Sequence, residues 1–386
     1  MNPLLTRIVL FFLITSCLPV HDTAVHAARK PQVTASISVR ATPSASFEHK
    51  MVLNPKEAAQ LLEGSREEEA SRPASLTDTY LLISRKGRAR AFRMEKPGVL
   101  WSAAESRRLI LAPKAALLLQ TYCAELKERH YGKSISWSEA QQLIPRKSTF
   151  SIIDLEKGLS FRVQRRAGSR HADVQPLTKE DTKIMKQIYD NQWSWKRRAI
   201  IVVTDKHKIA ASMNGMPHGG DGIPGNGFSG HFCVHFLGSS THRSANPDLF
   251  HQLMVHTASG QREAFLHAAS PAILAEIFIG ALSVRDPDLL RSVANGLEPE
   301  AVDFFLHEME NGTSFRLATQ SKRNGKPRQS EQDTSDSLTA EVTHSVSWRR
   351  KNAAERSSVF QFEFVRESLH SPWRLSSVNS SMKPRR

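Results

Sequence analysis

Three side chains that could carry out chemistry alternate along one short segment of the sequence: His231, Cys233 and His235. Apolar residues, Phe232 and Val234, occupy the positions between them. Because successive side chains of a β-strand point to opposite faces, this alternation predicts a strand with one apolar face and one face that carries the thiol and both imidazoles. A thiol becomes a nucleophile when a neighbouring base or cation lowers its pKa, and an imidazole can act in both ways.

A glycine-rich stretch precedes this strand and carries a further imidazole, His218. Residues 214–236 contain seven of the 19 glycines and no lysine or arginine, in a chain of 386 residues with a formal net charge of +15. Glycines let backbone N–H groups approach a reacting carbonyl closely, as an oxyanion site requires. These residues favour nucleophilic catalysis by Cys233, with His231 on the same strand face as its general base.

The order and spacing of these residues resemble the catalytic motif of the L,D-transpeptidases. In that motif an upstream histidine is followed by a Ser/Thr-His-Gly-Cys sequence, and His218, His231 and Cys233 stand in similar positions. The resemblance covers residues 150–241. It implies a mostly β catalytic domain that acts on peptidoglycan stem peptides through an acyl-enzyme, without a cofactor. It also implies that Cys233 is the nucleophile, His231 the general base and His218 a substrate-side or orienting residue.

The sequence departs from the family motif at the positions around the cysteine. Gly230 stands where serine or threonine is usual, and Ser229 lies one place earlier. Phe232 replaces the glycine between the histidine and the cysteine, and its ring is compatible with the apolar face of the predicted strand. His235 occupies the place of the usual arginine or asparagine. From their places in the motif, we expect Ser229, Gly230 and His235 to bind the substrate.

The same group of side chains could instead bind zinc, which accepts imidazole and thiolate ligands. The candidate ligands lie on the predicted strand or in the loop before it: His218, His231, Cys233 and His235. His171 and Asp173 could complete the set, although a His-x-Asp pair in a turn is more often a local hydrogen-bonded cap. The protein would then be a zinc-dependent peptidoglycan peptidase or amidase. A third hypothesis is a non-catalytic cell-wall binding protein, whose histidines only hydrogen-bond the glycine-rich loop.

The N-terminal residues predict export from the cytoplasm. Arg7 is followed by an apolar run, residues 8–14, that is too short to span a bilayer, and a small-residue cleavage site ends at Ala27. Residues 1–28 are therefore predicted to be the signal peptide of a secreted or cell-wall associated bacterial protein. The residues before Cys17 also resemble a lipobox, in which Cys17 would be lipidated and the protein would be a lipoprotein.

The formal net charge of +15 predicts an anionic partner. Export removes nucleic acid from the expected partners and leaves peptidoglycan and acidic cell-wall polymer. We expect contact with a membrane only through the lipid anchor at Cys17. Of the two cysteines that follow the signal peptide, Cys123 lies in a helix-like apolar run. A cysteine there is more often a small buried hydrophobe than a disulfide partner of Cys233.

The pattern of the whole chain predicts an α+β fold, with a mostly β catalytic domain flanked by helical segments and a disordered basic C-terminal tail. The tail contains 14 lysines and arginines against 7 acidic residues, with many serines and asparagines. The predicted units after the signal peptide are a linker at 29–50, an N-terminal mainly helical region at 51–147, the catalytic domain at 148–260, a helical segment at 261–310 and the tail at 311–386.

Overall fold

The structure, a computed structural model, describes residues 33–71, 73, 77–220, 222–241, 246–318 and 334–382. The predicted signal peptide and the lipobox at Cys17 lie outside these residues. The described residues form three antiparallel sheets and nine helices, so the fold combines α and β structure and is mostly β. Within these ranges, no helix is both long enough and apolar enough to cross a membrane.

Residues 34–130 form an open sheet with two helices. The elements, in chain order, are β1 (Thr34–Val39), β2 (His49–Leu53), α1 (Pro55–Leu62), β3 (Arg66–Glu69), β4 (Thr79–Arg85), β5 (Arg88–Lys96), β6 (Val99–Ser102), β7 (Arg107–Ile110) and α2 (Pro113–His130). The strands pair in the order β2-β1-β4-β5-β6-β7-β3. Leu119, Cys123 and Leu126 recur at the spacing of one helix face, and α2 buries them against the sheet. Cys123 is a free, buried cysteine, as the sequence predicts.

Two sequence predictions for this part of the chain are wrong. The linker predicted at 29–50 contains β1, a strand in which Ile37 and Val39 are fully buried. The region predicted to be mainly helical, 51–147, is divided about equally between strand and helix in the described residues. In β1 the apolar residues alternate with serines over only six positions. So short a period-two signal is easily outweighed by a composition rich in serine, threonine and alanine.

Residues 149–235 close into a six-stranded antiparallel barrel. The elements of this part, in chain order, are α3 (Trp137–Leu143), β8 (Thr149–Asp154), β9 (Ser160–Ala167), β10 (Ala172–Pro176), α4 (Lys179–Ile188), β11 (Arg198–Val203), β12 (Lys208–Met213), β13 (Phe232–His235) and α5 (Leu249–Ala258). The barrel strands follow the order β10-β13-β12-β11-β8-β9. Phe232, Val234 and Phe236 are fully buried in the barrel core, as the alternation in the sequence predicts.

The opposite face of β13 is buried as well. Cys233 is 4% exposed and His235 is 2% exposed. Helix α5 packs against β11, β12 and β13 and covers this side of the barrel. The thiol and its neighbouring imidazoles therefore contact side chains from distant parts of the sequence, rather than standing on an open strand face.

Four helices and a third sheet form the C-terminal part of the described chain. In order, the elements are α6 (Arg262–Ala268), α7 (Pro271–Val284), α8 (Pro287–Val293), α9 (Pro299–Glu310), β14 (Ser314–Leu317), β15 (Thr339–Arg349), β16 (Arg356–Val365) and β17 (Arg374–Ser380). The strands pair in the order β14-β15-β16-β17. Phe360 and Phe362 of β16 contact Phe305 of α9 and Phe278 of α7 through their rings, so helices and sheet share one core.

The prediction of a disordered tail at 311–386 is wrong for the tail residues that the structure describes, 311–318 and 334–382. Along β16, buried Phe360, Phe362 and Phe364 alternate with side chains that are exposed or half-buried. The polar residues between these phenylalanines, such as Glu363, lie on the solvent side of this strand. Composition averages the two faces together, and the average conceals the period of two.

We expect Phe362→Ala to lower the free energy of unfolding by about 3–5 kcal/mol, because it removes a fully buried ring and leaves a cavity. Urea denaturation followed by circular dichroism measures the change. Val359→Ala on the same strand is the matched control, since Val359 is 58% exposed and should change stability by no more than about 0.5 kcal/mol. Equal stability of the two variants would mean that β16 does not pack against the helices.

Candidate functional site

Backbone pairing brings the site together from three segments of the chain. In the ladder of β10 and β13, Asp173 lies directly opposite Cys233. Two residues before the cysteine, His231 forms an isolated antiparallel bridge with His218, with backbone hydrogen bonds of 2.8 and 3.0 Å. Opposite residues in an antiparallel pair share a face, as do residues two apart on one strand. The side chains of Asp173, His218 and His231 are therefore directed toward the side of β13 that carries the thiol.

Two glycines allow the close approach of His218 to His231. Gly230 has a φ of +80°, and a Cβ at this position would lie 2.2 Å from the carbonyl oxygen of His218. Gly219 has a φ of +71°, and its Cβ would lie 2.4 Å from Cε1 of His231. Any other residue would clash at either position and would adopt a left-handed conformation there. Gly230, expected to bind substrate, is buried beneath this bridge, whereas Ser229 is exposed.

Cys233 lies between two imidazoles. Its Sγ is 3.3 Å from Nε2 of His218, and it also hydrogen-bonds His171. Burial disfavours the thiolate, but the hydrogen bonds and positive charges of these two histidines outweigh the effect of burial. The pKa of the Cys233 thiol therefore falls below its ordinary value.

His171 is held as a cation beside the thiol. Its Nδ1 lies 2.8 Å from the carbonyl oxygen of Ser240, and its Nε2 lies 3.2 Å from Oδ1 of Asp173. Because a carbonyl and a carboxylate only accept hydrogen bonds, this geometry favours a proton on both ring nitrogens. Burial opposes the charge, yet Asp173 and then Cys233 raise the pKa of His171 to about 10. His171 is therefore suited to stabilise a thiolate and poorly suited to accept a proton.

His218 has the geometry of a proton acceptor. Its Nδ1 lies 2.8 Å from the carbonyl oxygen of Met216, which fixes the proton on Nδ1 and directs Nε2 to the thiol. The hydrogen bond with Cys233 raises the pKa of His218, against the effect of partial burial. The indole of Trp195, which is 51% exposed, lies 5.0 Å from the imidazole and places His218 at the edge of the site.

His231 belongs to the cluster, but its contacts differ from those expected of a general base. Its Nε2 lies 3.7 Å from Oδ1 of Asp173, and its ring centroid lies 4.5 Å from that of His218. The imidazole with a hydrogen bond to the thiol on this side is His218. The geometry thus favours an exchange of the roles that the sequence suggests for these two histidines.

The prediction that His235 binds substrate is wrong, because its side chain is buried among other rings. The imidazole stacks between His171, with centroids 4.5 Å apart, and His251 of α5, at 3.7 Å. Burial and then the nearby His251 lower the pKa of His235 well below its ordinary value, so His235 is neutral. Because the His235 ring is neutral and stacks on His171, it fixes the position of that imidazole without repelling its positive charge.

Two residues that hold the site in shape, His251 and Asn226, were not predicted from the sequence. His251 hydrogen-bonds Ser212 through Nδ1 at 2.9 Å and forms the outer layer of the imidazole stack. Asn226 is 2% exposed and fixes the glycine-rich loop, since its side chain donates to the carbonyl of Pro176 and accepts from the N–H of Phe228. An asparagine between two glycines is a recognisable turn signal, whereas nothing local marks His251.

Two overlapping groups within the described residues have the composition of a metal site. Their members share the thiol: His171, Cys233 and His235 form one, and His218, His231 and Cys233 form the other, with ligand atoms within 4.8 Å of one another. A metal in the first group would compete with the hydrogen bonds of His171. The second group fits zinc better, because the Met216 carbonyl fixes the proton of His218 on Nδ1 and leaves Nε2 as a ligand atom.

The site combines a thiol of lowered pKa, a fixed imidazolium and a second imidazole that can exchange a proton with the thiol. No protein-family model matches the sequence, and no curated protein sequence matches it with significant similarity.

Proposed function

We propose that the protein is an exported cysteine acyltransferase, similar to the L,D-transpeptidases, that acts on the stem peptides of peptidoglycan. The observation that carries the proposal is the position of Cys233 Sγ, 3.3 Å from Nε2 of His218 and hydrogen-bonded to the His171 imidazolium. A nucleophile, a base within hydrogen-bond reach and a third group that stabilises the charge are the parts that thiol acyl transfer requires.

The proposed reaction passes through a thioester. His218 accepts the thiol proton at Nε2, and the thiolate attacks the carbonyl carbon of the donor peptide. The C–N bond then breaks, and the leaving amine takes the proton from His218. An acceptor amine, or water, next attacks the thioester, and its proton returns through His218 to the departing sulfur. His171 remains protonated throughout, because Asp173 and the Ser240 carbonyl hold its two protons.

Exposed groups beside His218 provide a place for the substrate. Trp195 is 51% exposed and offers a flat apolar surface next to the imidazole, and Ser229 is exposed two residues before His231. The formal charge of +15 suits an acidic cell-wall polymer. We place the protein outside the cytoplasm, secreted or attached to the wall, with a lipid at Cys17 as the alternative anchor and without a nucleic-acid partner.

A zinc-dependent peptidoglycan peptidase or amidase is the second candidate. The observation in its favour is the group of His218, His231 and Cys233, whose ligand atoms lie within 4.8 Å of one another. A zinc ion there would bind the thiolate and make it unavailable as a nucleophile, so the two mechanisms exclude each other. The resemblance to the transpeptidase motif and the proton held by His171 favour acyl transfer.

The intact mass of the purified protein after incubation with a carbapenem or a stem tetrapeptide tests the proposal. We expect one covalent adduct per chain, located on the peptide that contains Cys233, in equal amount with and without a chelator. Cys123→Ser should retain the adduct, because Cys123 is buried on α2 in an apolar environment. About one equivalent of bound zinc, with activity lost on chelation, would favour the zinc mechanism. Metal-free protein that forms no adduct would support a non-catalytic wall-binding protein instead.

A further inference from the structure

A cavity of about 850 Å³ lies between the first sheet, the end of α2 and the helices of the C-terminal part. None of the residues that form the Cys233 site lines it. Its volume falls within the range of about 300–1,000 Å³ that is usual for small-molecule sites. Apolar side chains cover much of the wall, among them Trp101 of β6, Leu266 of α6 and Leu297 before α9.

Two arginines on the cavity wall have no carboxylate partner. Among the described residues, no acidic oxygen lies within 4.0 Å of the guanidinium of Arg93 or Arg262. Arg262 donates to the hydroxyl of Ser292 at 2.7 Å, and the Nε of Arg93 donates to a backbone carbonyl. By contrast, Lys127 on the same wall is paired with Asp78 at 2.7 Å. Acidic residues line the same wall, namely Asp78, Glu263, Asp288 and Asp303, and Asp78 and Asp288 favour the charge of Arg93 from a longer distance. Arg93 and Arg262 are therefore the cations of this wall that no carboxylate of the described residues contacts.

These two charges are close enough to act on each other. Burial, and then the like charge of Arg262, lower the pKa of Arg93, whereas the charges of Asp288 and Asp78 act in the opposite direction. A guanidinium stays protonated in either case. Two guanidiniums that no carboxylate contacts still repel each other on a partly desolvated wall, and an anion that contacts both would relieve this repulsion. Both arginines form part of the same wall as the hydroxyl of Tyr80.

Tyr80 adds a hydrogen-bond donor at the same place. Its hydroxyl is buried and has no hydrogen-bond partner among the described residues, and the guanidinium of Arg93 lies 5.3 Å from its ring centroid. A buried hydroxyl without a partner is unfavourable by itself, and an oxygen of an anion would accept its hydrogen bond. The Tyr80 hydroxyl lacks a hydrogen-bond partner, and the two arginines lack a contacting carboxylate. These are independent observations, and both point to an anion.

We propose that this cavity binds an amphipathic anion, an organic molecule with an apolar body and a carboxylate or phosphate head. The head would lie at Arg93, Arg262 and the hydroxyl of Tyr80. The apolar body would lie against Trp101, Leu266 and Leu297. This binding does not depend on the chemistry of Cys233, so it stands whether that site acylates, binds zinc or does neither.

Isothermal titration calorimetry of the full-length protein with decyl phosphate, below the critical micelle concentration of decyl phosphate, tests the proposal. We expect saturable binding of one molecule per chain. Decanol lacks the charge and inorganic phosphate lacks the apolar body, so each should bind at least about tenfold more weakly. Arg262→Gln should weaken decyl phosphate about tenfold by removing one charge-assisted hydrogen bond. Arg316→Gln is the matched control, because Arg316 is exposed, paired with Glu355 and outside the cavity wall.

Tyr80→Phe provides a second test that keeps the ring and removes only the hydroxyl. We expect it to weaken decyl phosphate about fivefold and to leave the unliganded protein at least as stable, since the hydroxyl has no partner there. Three results would each overturn the proposal: no binding of decyl phosphate, equal affinity for decanol or for inorganic phosphate, or equal affinity of the Arg262→Gln and Arg316→Gln proteins. Circular dichroism of each variant checks that it is folded.

Discussion

Replacement of His218 by alanine will lower the rate of Cys233 acylation by about 100-fold or more. The imidazole is within hydrogen-bond distance of the thiol at 3.3 Å, and its other nitrogen is fixed by the Met216 carbonyl. In the proposed mechanism it is therefore the group that takes the proton during attack. Loss of a general base commonly lowers the rate by about 10²–10⁴-fold. Single-turnover acylation by a carbapenem, followed by mass spectrometry, measures the rate constant without interference from the later steps.

His231→Ala is the matched control, because it removes an imidazole from the same bridge. We expect a much smaller loss of rate, since the hydrogen bond to the thiol on this side comes from His218. The carbapenem rate for each variant should be compared at several pH values, because a base contributes a titration step and a packing residue does not. A larger loss in His231→Ala than in His218→Ala would return the role of base to His231, as the sequence motif suggests.

The sequence predicts the part of the site that is local in the chain. Strict alternation around Cys233 identifies β13, and the glycines before it identify a loop that returns to the strand. His171 and Asp173 could not be assigned in this way, because they reach Cys233 only through the register of β10 against β13. A shift of one residue in that register would turn Asp173 to the opposite face, and no short-range pattern fixes it.

For the fold as well, the sequence predicts elements with a local pattern and not those that depend on distant contacts. Strand β11 carries a run of four β-branched residues, 200–203, and is recognisable from that run alone. In β16 the apolar positions lie between glutamate, glutamine and hydroxyl residues, so the composition of the window resembles that of a soluble tail. The alternation becomes decisive only when α7 and α9 supply an apolar surface for one face, and that surface lies more than 45 residues earlier in the chain.

At neutral pH, iodoacetamide will alkylate Cys233 and leave Cys123 almost unmodified. The thiolate is the reactive form, so the rate rises as pH passes through the pKa of each thiol. Hydrogen bonds from His171 and His218 outweigh burial and lower the pKa of Cys233, which moves this rise to lower pH. Burial raises the pKa of Cys123 to about 11, and about one part in 10,000 of such a thiol is ionised at pH 7. Peptide mapping of the alkylated protein measures both rates in one sample.

Cys233 and Cys123 are both 4% exposed, so a difference in their alkylation rates reflects ionisation of the thiol rather than access of the reagent. His171→Gln gives the test of cause, since it removes the imidazolium and keeps a side chain that can hydrogen-bond. We expect it to move the alkylation midpoint of Cys233 to higher pH by about one unit or more, the usual effect of losing an adjacent opposite charge. His171 keeps its proton up to about pH 10, so the wild-type cation persists across the whole rise in rate. An unchanged midpoint in His171→Gln would show that the thiolate depends on His218 alone. A wild-type midpoint near the ordinary thiol value of about 8.5 would show that the Cys233 thiolate and the His171 imidazolium do not form an ion pair.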